Sequence, residues 1–206
     1  MFAVNVAGAH ELLLAAAGAG VSRFCLISSG TVYEPFDMPL DEDRVLAPSS
    51  HLGATKLAPE ILARPYSTLF PISILRLFAP YGPGQTARLL PDLIRRIRDG
   101  DAVTLPISGD GMRFAPTYID DICEVILTAL QESWAGTFNV ASPESLTIRE
   151  AALAIGAALG REPRFERKPI AAPSIVPSLA RLGLQYDMSR FHGFAEGIAA
   201  TVASER

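Results

Sequence analysis

The sequence of 206 residues is poor in several features that mark particular classes of protein. Only two cysteines occur, Cys25 and Cys123, and they are far apart and lack the spacing of metal ligands. Charged residues make up 19% of the chain, and no long run of one sign accompanies the net charge of −4. A nucleic-acid-binding surface needs a basic stripe, so we expect no nucleic-acid partner. We expect both cysteines to be buried thiols in a reducing compartment.

Long apolar segments are also scarce. Beyond the N-terminal segment, no stretch of eighteen or more apolar residues occurs, which argues against a membrane-spanning helix. The N-terminal segment, residues 2–21, is apolar, but no basic residue precedes it, and His10 and Glu11 interrupt it. A signal peptide has a basic start and an unbroken apolar core, so this segment is a poor match. We expect a cytoplasmic protein that has no membrane partner.

A metal site is not indicated either. The acidic run Asp41, Glu42 and Asp43 has no histidine or further carboxylate spaced to complete a coordination shell. We therefore expect these three carboxylates to lie in a solvated loop.

The most informative stretch that is present runs from Arg23 to Tyr33. Its four apolar residues, 24–27, end abruptly in Ser28 and Ser29, a pattern that predicts a buried strand of a parallel sheet. Ligands of open α/β sheets bind just beyond the carboxyl ends of the strands, where these hydroxyls would lie. Ser29 is therefore a candidate site residue. The alternative is a hydroxyl that only satisfies a local backbone group.

A helix is predicted from about Ser50 to Ala63, and it contains the sequence LGATK. The spacing of four places Leu52 and Lys56 on one face of this helix. Lys56 is a second candidate site residue. The alternative is an exposed helix lysine that pairs with Glu60 one turn further on.

The two stretches together resemble a known family. SSGTVY followed by LGATK is similar to the SS-x-x-VY and YGASK signatures of the extended short-chain dehydrogenase/reductases, the NAD-dependent epimerase/dehydratase family. Further matches are Arg76–Phe78 with Tyr81–Gln85, similar to the family's RLF and YGPGQ, and the turn Gly109–Gly111. Similar segments continue almost to the end of the chain, so the resemblance covers most of it.

The resemblance implies an α/β fold with a partial Rossmann-like, doubly wound parallel sheet and a small C-terminal substrate-binding lobe. Residues 1–140 would be the C-terminal part of an NAD(P)-binding domain, with 80–120 contributing to the substrate lobe, and 141–206 would be the smaller lobe. The implied activity is that of an epimerase, dehydratase or oxidoreductase that uses NAD or NADP on a nucleotide-sugar-like molecule. A homodimer through helices 2–18 and 50–63 is also implied.

The resemblance assigns catalytic roles to Ser29 and Lys56. In the family, the serine hydrogen-bonds the reacting sugar oxygen. The lysine binds the nicotinamide ribose and lowers the pKa of a catalytic tyrosine, so that this tyrosine transfers protons near neutral pH.

Other residues match binding positions. Ser28, Lys56 and Phe78 would line the cofactor site, and Tyr81 and Arg113 would contact the substrate. Arg113 matches in type an arginine that binds the substrate diphosphate, for which guanidinium geometry is suited. A surface arginine without this role is the alternative.

The chain departs from the family at two points. The catalytic tyrosine, four residues before Lys56, is replaced by Leu52, and the glycine-rich nucleotide-binding turn is absent. No other residue replaces this tyrosine by position. His51 lies about 100° round the helix from Leu52, and neither Tyr33 nor Tyr81 lies four residues before the lysine. We therefore expect catalysis to be impaired.

Three hypotheses are open. The chain is a family member whose catalysis is impaired, a non-catalytic binding or interaction protein, or a fragment of a longer enzyme. In the third case, the first strands of the sheet and the phosphate-binding turn would be encoded upstream of Met1.

Overall fold

A computed structural model describes residues 1–36 and 40–204, which form α-helices and β-strands. A π-helical turn at Ala3–Ala7 continues directly into the first α-helix. The helices are α1 (Gly8–Ala19), α2 (His51–Ala63), α3 (Leu89–Asp99), α4 (Ile119–Gln131), α5 (Ile148–Leu159), α6 (Ala180–Gly183) and α7 (Phe194–Ala203). The strands are β1 (Phe24–Ser29), β2 (Ile72–Leu77), β3 (Pro80–Tyr81), β4 (Ala102–Pro106), β5 (Arg113–Phe114), β6 (Thr117–Tyr118), β7 (Gly136–Val140), β8 (Leu146–Thr147), β9 (Arg164–Lys168) and β10 (Ser174–Ile175).

The described chain divides into two compact units that alternate along the sequence. Unit 1 contains Met1–Phe78, Ile122–Val140 and Pro177–Asp187. Unit 2 contains Ala79–Asp121, Ala141–Val176 and the residues from Met188 onward. The chain therefore leaves unit 1 after β2 and returns to it twice.

Unit 1 is built on a parallel sheet with the strand order β1-β2-β7. Phe24 pairs with Ile72 at one end of the β1–β2 ladder, and Ser29 pairs with Leu77 at the other. Helix α2 connects β1 to β2, since parallel neighbours need a crossover of this kind. This arrangement confirms the predicted α/β class and its parallel strands.

Helices α1 and α2 contribute to the core of unit 1. Leu13 and Ala63 are fully buried there, and they belong to a cluster with Phe70, Ile72 and Ile74. Burial of a leucine side chain contributes about 1.5–3 kcal/mol, so this cluster contributes to the stability of unit 1.

The prediction of two buried thiols is wrong for one of them. Cys123 is exposed on α4, whereas Cys25 in β1 is half-buried. The buried side of α4 is formed by Ile122, Val125 and Ala129, which follow the helical repeat. Cys123 lies about 100° round the helix from Ile122 and therefore faces solvent.

Unit 2 has an apolar core of its own and several small groups of paired strands. Strands β3 and β6 pair in parallel, as do β4 and β9, while β5 lies between β10 and β8. The core includes side chains of α3, α5 and α7, with Ile94, Ile155 and Ile198 almost completely buried. The longest described α-helices have 13 residues, and none of the described helices combines the length and apolarity that a membrane crossing requires.

Local sequence signals account for the helix ends in unit 2. Helix α5 begins with a capping box in which Thr147 and Glu150 bond each other's backbone N–H groups, and it ends at Gly160 with φ of 65°. Helix α3 ends in the same way at Gly100, with φ of 79°. Glycine adopts this left-handed conformation without a steric cost, so these ends were predictable from the sequence.

Candidate functional site

Strand β1 ends in a hydroxyl-bearing turn. Ser29 has an extended backbone, with φ of −147° and ψ of 147°, and leads into a single 3₁₀ turn, Gly30–Tyr33. Its Oγ accepts hydrogen bonds from the N–H of Thr31, at 3.2 Å, and from the Thr31 hydroxyl, at 3.0 Å. The side chain is partly exposed. Ser29 thus caps the turn, and it remains accessible at the carboxyl end of the strand.

Lys56 reaches the same strand from helix α2. Its Nζ donates a hydrogen bond of 3.3 Å to the backbone carbonyl of Ile27, two residues before Ser29. The structure therefore places both predicted catalytic side chains at the carboxyl end of β1.

The start of α2 packs tightly against the turn after β1. Ser50 caps the helix by accepting a 3.0 Å hydrogen bond from the N–H of Gly53. A Cβ atom at Gly53 would lie only 2.5 Å from the carbonyl oxygen of Thr31. A glycine at this position therefore permits the close approach of α2 to the turn after β1.

Leu52 lies in the first turn of α2 and is half-buried. A leucine side chain has no proton to donate or accept. No acid–base group is therefore supplied from the position where the family has its tyrosine.

A buried polar network that the sequence analysis missed connects α2 to β1 and β2. Glu60 forms a 2.7 Å ion pair with Arg76, and it also accepts a hydrogen bond from the Ser28 hydroxyl. Arg76 donates to the Tyr33 hydroxyl at 2.7 Å, and Tyr33 donates to Asn139 Oδ1 at 2.8 Å. All five residues are at most 3% exposed. Glu60 is thus the partner of Arg76, and its proposed pairing with Lys56 is wrong.

The network perturbs the titration of its members. Burial lowers the pKa of Arg76, but the hydrogen bonds and the charge of Glu60 outweigh this effect and raise it above its ordinary value. Burial raises the pKa of Tyr33, although the Arg76 guanidinium opposes the shift. Tyr33 is therefore neutral near pH 7, and its hydroxyl is held by two partners in the core.

One member of the acidic loop also belongs to this region. Glu42 is 9% exposed, and its Oε1 accepts a 2.9 Å hydrogen bond from the backbone N–H of Asn139. Asp43 is exposed and pairs with Arg181. The prediction of a solvated loop is therefore wrong for Glu42, because its carboxylate satisfies a buried N–H group of β7.

The two other residues predicted to line the cofactor are buried. The Ser28 hydroxyl is directed at Glu60, and Phe78 is 3% exposed with its ring 5.9 Å from that of Tyr33. A Cβ atom at Gly30 would lie 2.6 Å from the Phe78 ring, so this ring fills the space beside the turn.

The predicted substrate-binding residues lie in unit 2. Tyr81 is 3% exposed, and its ring packs between Tyr118 and Phe194, with centroids at 5.6 and 5.5 Å. Burial, followed by the charge of Asp121, raises the pKa of the Tyr81 phenol.

Arg113 is more exposed than Tyr81. Its side chain is 44% exposed and lies 3.6 Å from the Glu150 carboxylate. It also donates a 3.0 Å hydrogen bond to the Ser145 carbonyl. Glu150 partly balances the charge of this guanidinium, which remains accessible to solvent.

The residues present fit a dinucleotide cofactor only in part. Ser29 and Lys56 offer a hydroxyl and an ammonium at an accessible strand end, but Ser28 and Phe78 are engaged in the core. The chain has no glycine-rich turn whose N–H groups would bind the phosphates. The chain therefore offers contacts to one end of such a cofactor at most.

Comparison with known proteins gives a consistent result. The family model described as the NAD dependent epimerase/dehydratase family matches residues 1–141. A UDP-glucose 4-epimerase of Mycolicibacterium smegmatis is 30% identical over 97% of this chain and 67% of its own length. A low-salt glycan biosynthesis protein of Haloferax volcanii is 35% identical over 76% of this chain and 52% of its own length. The chain spans about half the length of most curated relatives that it matches.

Solved structures show the same likeness. A UDP-glucose 4-epimerase of Thermus thermophilus, solved with NAD, is 27% identical with a TM-score of 0.80, covering 98% of this chain and 70% of that one. A UDP-glucuronic acid 4-epimerase of Bacillus cereus, also solved with NAD, is 24% identical with a TM-score of 0.84, covering 97% and 66%. The second match, at this identity, supports the fold alone.

Proposed function

The chain belongs to the NAD-dependent epimerase/dehydratase family, and on this basis we propose that it is related to enzymes that act on nucleotide sugars and that its own catalysis is impaired. Chemistry of this kind moves a hydride between sugar and nicotinamide, and a protein group must carry the accompanying hydroxyl proton.

One observation carries the proposal. Lys56 contacts the strand that bears Ser29, which is the arrangement expected of a family site, but Leu52 occupies the helix position one turn before the lysine. A lysine that lowers the pKa of a neighbouring acid has no effect on a hydrocarbon side chain. The proton-transfer step is therefore the one that we propose to be lost.

Tyr33, the last residue of the 3₁₀ turn after β1, does not supply a replacement. Tyr33 is 1% exposed and bound to Arg76 and Asn139, and its raised pKa disfavours loss of the proton. A general acid or base must reach the reacting atom and titrate near the working pH, and Tyr33 meets neither condition.

We propose further that this chain binds NAD or NADP weakly. Ser29 and Lys56 are suited to the nicotinamide end, whereas no described segment offers a phosphate-binding turn followed by a helix. Phosphate contacts at a helix N-terminus contribute strongly to dinucleotide affinity, so their absence from this chain predicts a large loss.

The proposal is tested by measuring turnover and binding on the same preparation. UDP-glucose and UDP-glucuronic acid are incubated with the chain and NAD, and products are separated by chromatography. We expect no sugar-dependent turnover, and we expect weak or no heat when NAD is titrated in by calorimetry. The Mycolicibacterium relative serves as the positive control. Turnover by the unmodified chain, or micromolar affinity for NAD, would refute the proposal.

A further inference from the structure

A histidine and a buried aspartate meet beside the start of α7 in unit 2. His192 Nδ1 lies 2.5 Å from Asp121 Oδ1, and the backbone N–H of His192 donates to the same carboxylate, 3.2 Å from Oδ2. The Asp121 side chain, in the first turn of α4, is 2% exposed, whereas that of His192 is 38% exposed. The contact therefore joins two segments that are distant in sequence, and solvent protons have access to the imidazole.

This contact lies where α7 begins. Gly193 is the N-cap residue of α7 and provides no side-chain cap. The next residue, Phe194, is 3% exposed, and its N–H donates a 2.7 Å hydrogen bond to Glu144. Two carboxylates, Asp121 and Glu144, thus hold the chain as it enters the helix. The side chains that α7 buries beyond this point are those of Ile198, Thr201 and Val202.

Acidic groups shift the titration of His192. The hydrogen bond to Asp121 is the main cause that raises the pKa of His192 above its ordinary value of 6.5, and burial opposes it. The charges of Glu196 on α7 and of Asp120 on α4 add to the increase. The Tyr118 ring of β6 stands edge-on at 5.3 Å, and burial raises the pKa of its phenol, so Tyr118 is neutral where the histidine titrates.

We propose that His192 and Asp121 form a proton-dependent clamp that holds the start of α7 on unit 2 more tightly when the imidazole is charged. A charged imidazole and a carboxylate form a charge-assisted hydrogen bond, which is stronger than the bond that a neutral imidazole donates. The backbone contact from His192 to Asp121 persists in both states. At high pH the start of α7 is therefore held less tightly, but it stays in contact with Asp121.

The direction of the pH dependence follows from the raised pKa. The added stability is fully present below the pKa of the undocked histidine, near 6.5, and is lost as the pH rises through the higher pKa of the docked one. Each pH unit between the pKa of the undocked histidine and that of the docked one corresponds to about a tenfold change in the docking equilibrium.

The first test measures the titration of the histidine itself. The chain has three histidines, at positions 10, 51 and 192, and their ring resonances are followed by NMR between pH 5 and 9 and assigned with His192→Asn. We expect the His192 midpoint to be higher in the unmodified chain than in Asp121→Asn, which keeps the size of the side chain and removes its charge. Equal midpoints would overturn the proposal.

The second test measures the docking of α7. Amide hydrogen exchange is recorded at pH 6 and pH 9 and corrected for the intrinsic exchange rates, with α5 as the internal reference. We expect protection of α7 to fall at pH 9 in the unmodified chain and in the control His51→Asn, but to be independent of pH in His192→Asn. The same fall in His192→Asn would overturn the proposal. If Asp121→Asn does not fold, the exchange comparison between the unmodified chain and His192→Asn tests the proposal by itself.

Discussion

At Leu52, a side chain without an ionisable group lies one helical turn before a lysine whose ammonium contacts the strand bearing Ser29. The sequence alone identified this substitution, because the four-residue spacing on a helix is independent of the rest of the fold. The structure adds that Lys56 is bonded to the Ile27 carbonyl and that Tyr33 is held in the core.

We predict that Leu52→Tyr alone does not restore turnover of a nucleotide sugar. The new phenol would supply a proton carrier, but the chain would still have no turn that binds the phosphates of the cofactor. Leu52→Phe, which has the same ring without the hydroxyl, is the matched control, and both variants are assayed with UDP-glucose and NAD. Turnover in the tyrosine variant and not in the phenylalanine variant would contradict the prediction and show that a single lost hydroxyl explains the impairment.

The Glu60–Arg76 pair is a residue-scale feature that the sequence did not reveal. Glu60 lies four residues after Lys56, and this helical spacing suggested a surface pair. Both charges are instead buried, with side chains 2% and 4% exposed, in contact with Ser28 and Tyr33. Which of two possible partners a charged side chain takes depends on the strand that packs beneath the helix, and local spacing does not encode this.

We predict that Glu60→Gln destabilises the protein by about 3–5 kcal/mol, because it leaves the Arg76 guanidinium buried without a counter-charge. The control is Arg95→Gln, which removes only exposed ion pairs, those with Asp92, Asp99 and Asp101, and should cost at most about 1 kcal/mol. Urea unfolding of both variants measures the difference. Equal losses of unfolding free energy in the two variants would contradict the prediction, because the buried ion pair would then contribute no more than the exposed ones.

At the scale of elements, the contact between α2 and the 3₁₀ turn after β1 sets the geometry of the candidate site. Gly53 allows the helix to approach the turn, and Ser50 fixes where the helix begins. The strand β1, the helix α2 and the cap of α5 were predictable, since hydrophobic periodicity and capping residues are local signals. The close approach of α2 to the turn was not predictable, because a glycine in a helix gives no indication of which residues pack against it.

We predict that Gly53→Ala lowers the free energy of unfolding by about 1–3 kcal/mol, because the added methyl group would meet backbone and proline atoms that cannot move aside easily. Gly18→Ala in α1 is the matched control, since a Cβ atom there has no neighbour within 4 Å. Alanine favours a helix over glycine by about 0.5–1 kcal/mol, so this control should be neutral or more stable. Thermal and urea unfolding measure both changes. A neutral Gly53→Ala variant would contradict the close packing of α2.

For the whole molecule, the decisive feature is the alternation of two units along one chain. β7 joins the sheet of unit 1 after the chain has passed through unit 2, and the segment 177–187 returns to unit 1 once more. The division into residues 1–140 and 141–206 that the sequence suggested, with its assignment of binding roles to the two parts, is an expectation about function and stays a prediction.

By itself, the sequence determined the class of the fold, the strand β1 and the helix α2, the family, and the residue types present at the candidate catalytic positions. Each of these depends on patterns within a few residues or on motifs of fixed spacing. Only the tertiary structure decided that Ser28 and Glu60 form a buried network with Arg76, that Glu42 satisfies the backbone of β7, and that His192 meets Asp121. The physical reason is that burial and pairing of polar groups arise where distant segments pack together, and the cost of leaving such a group unpaired selects a partner that local sequence does not name.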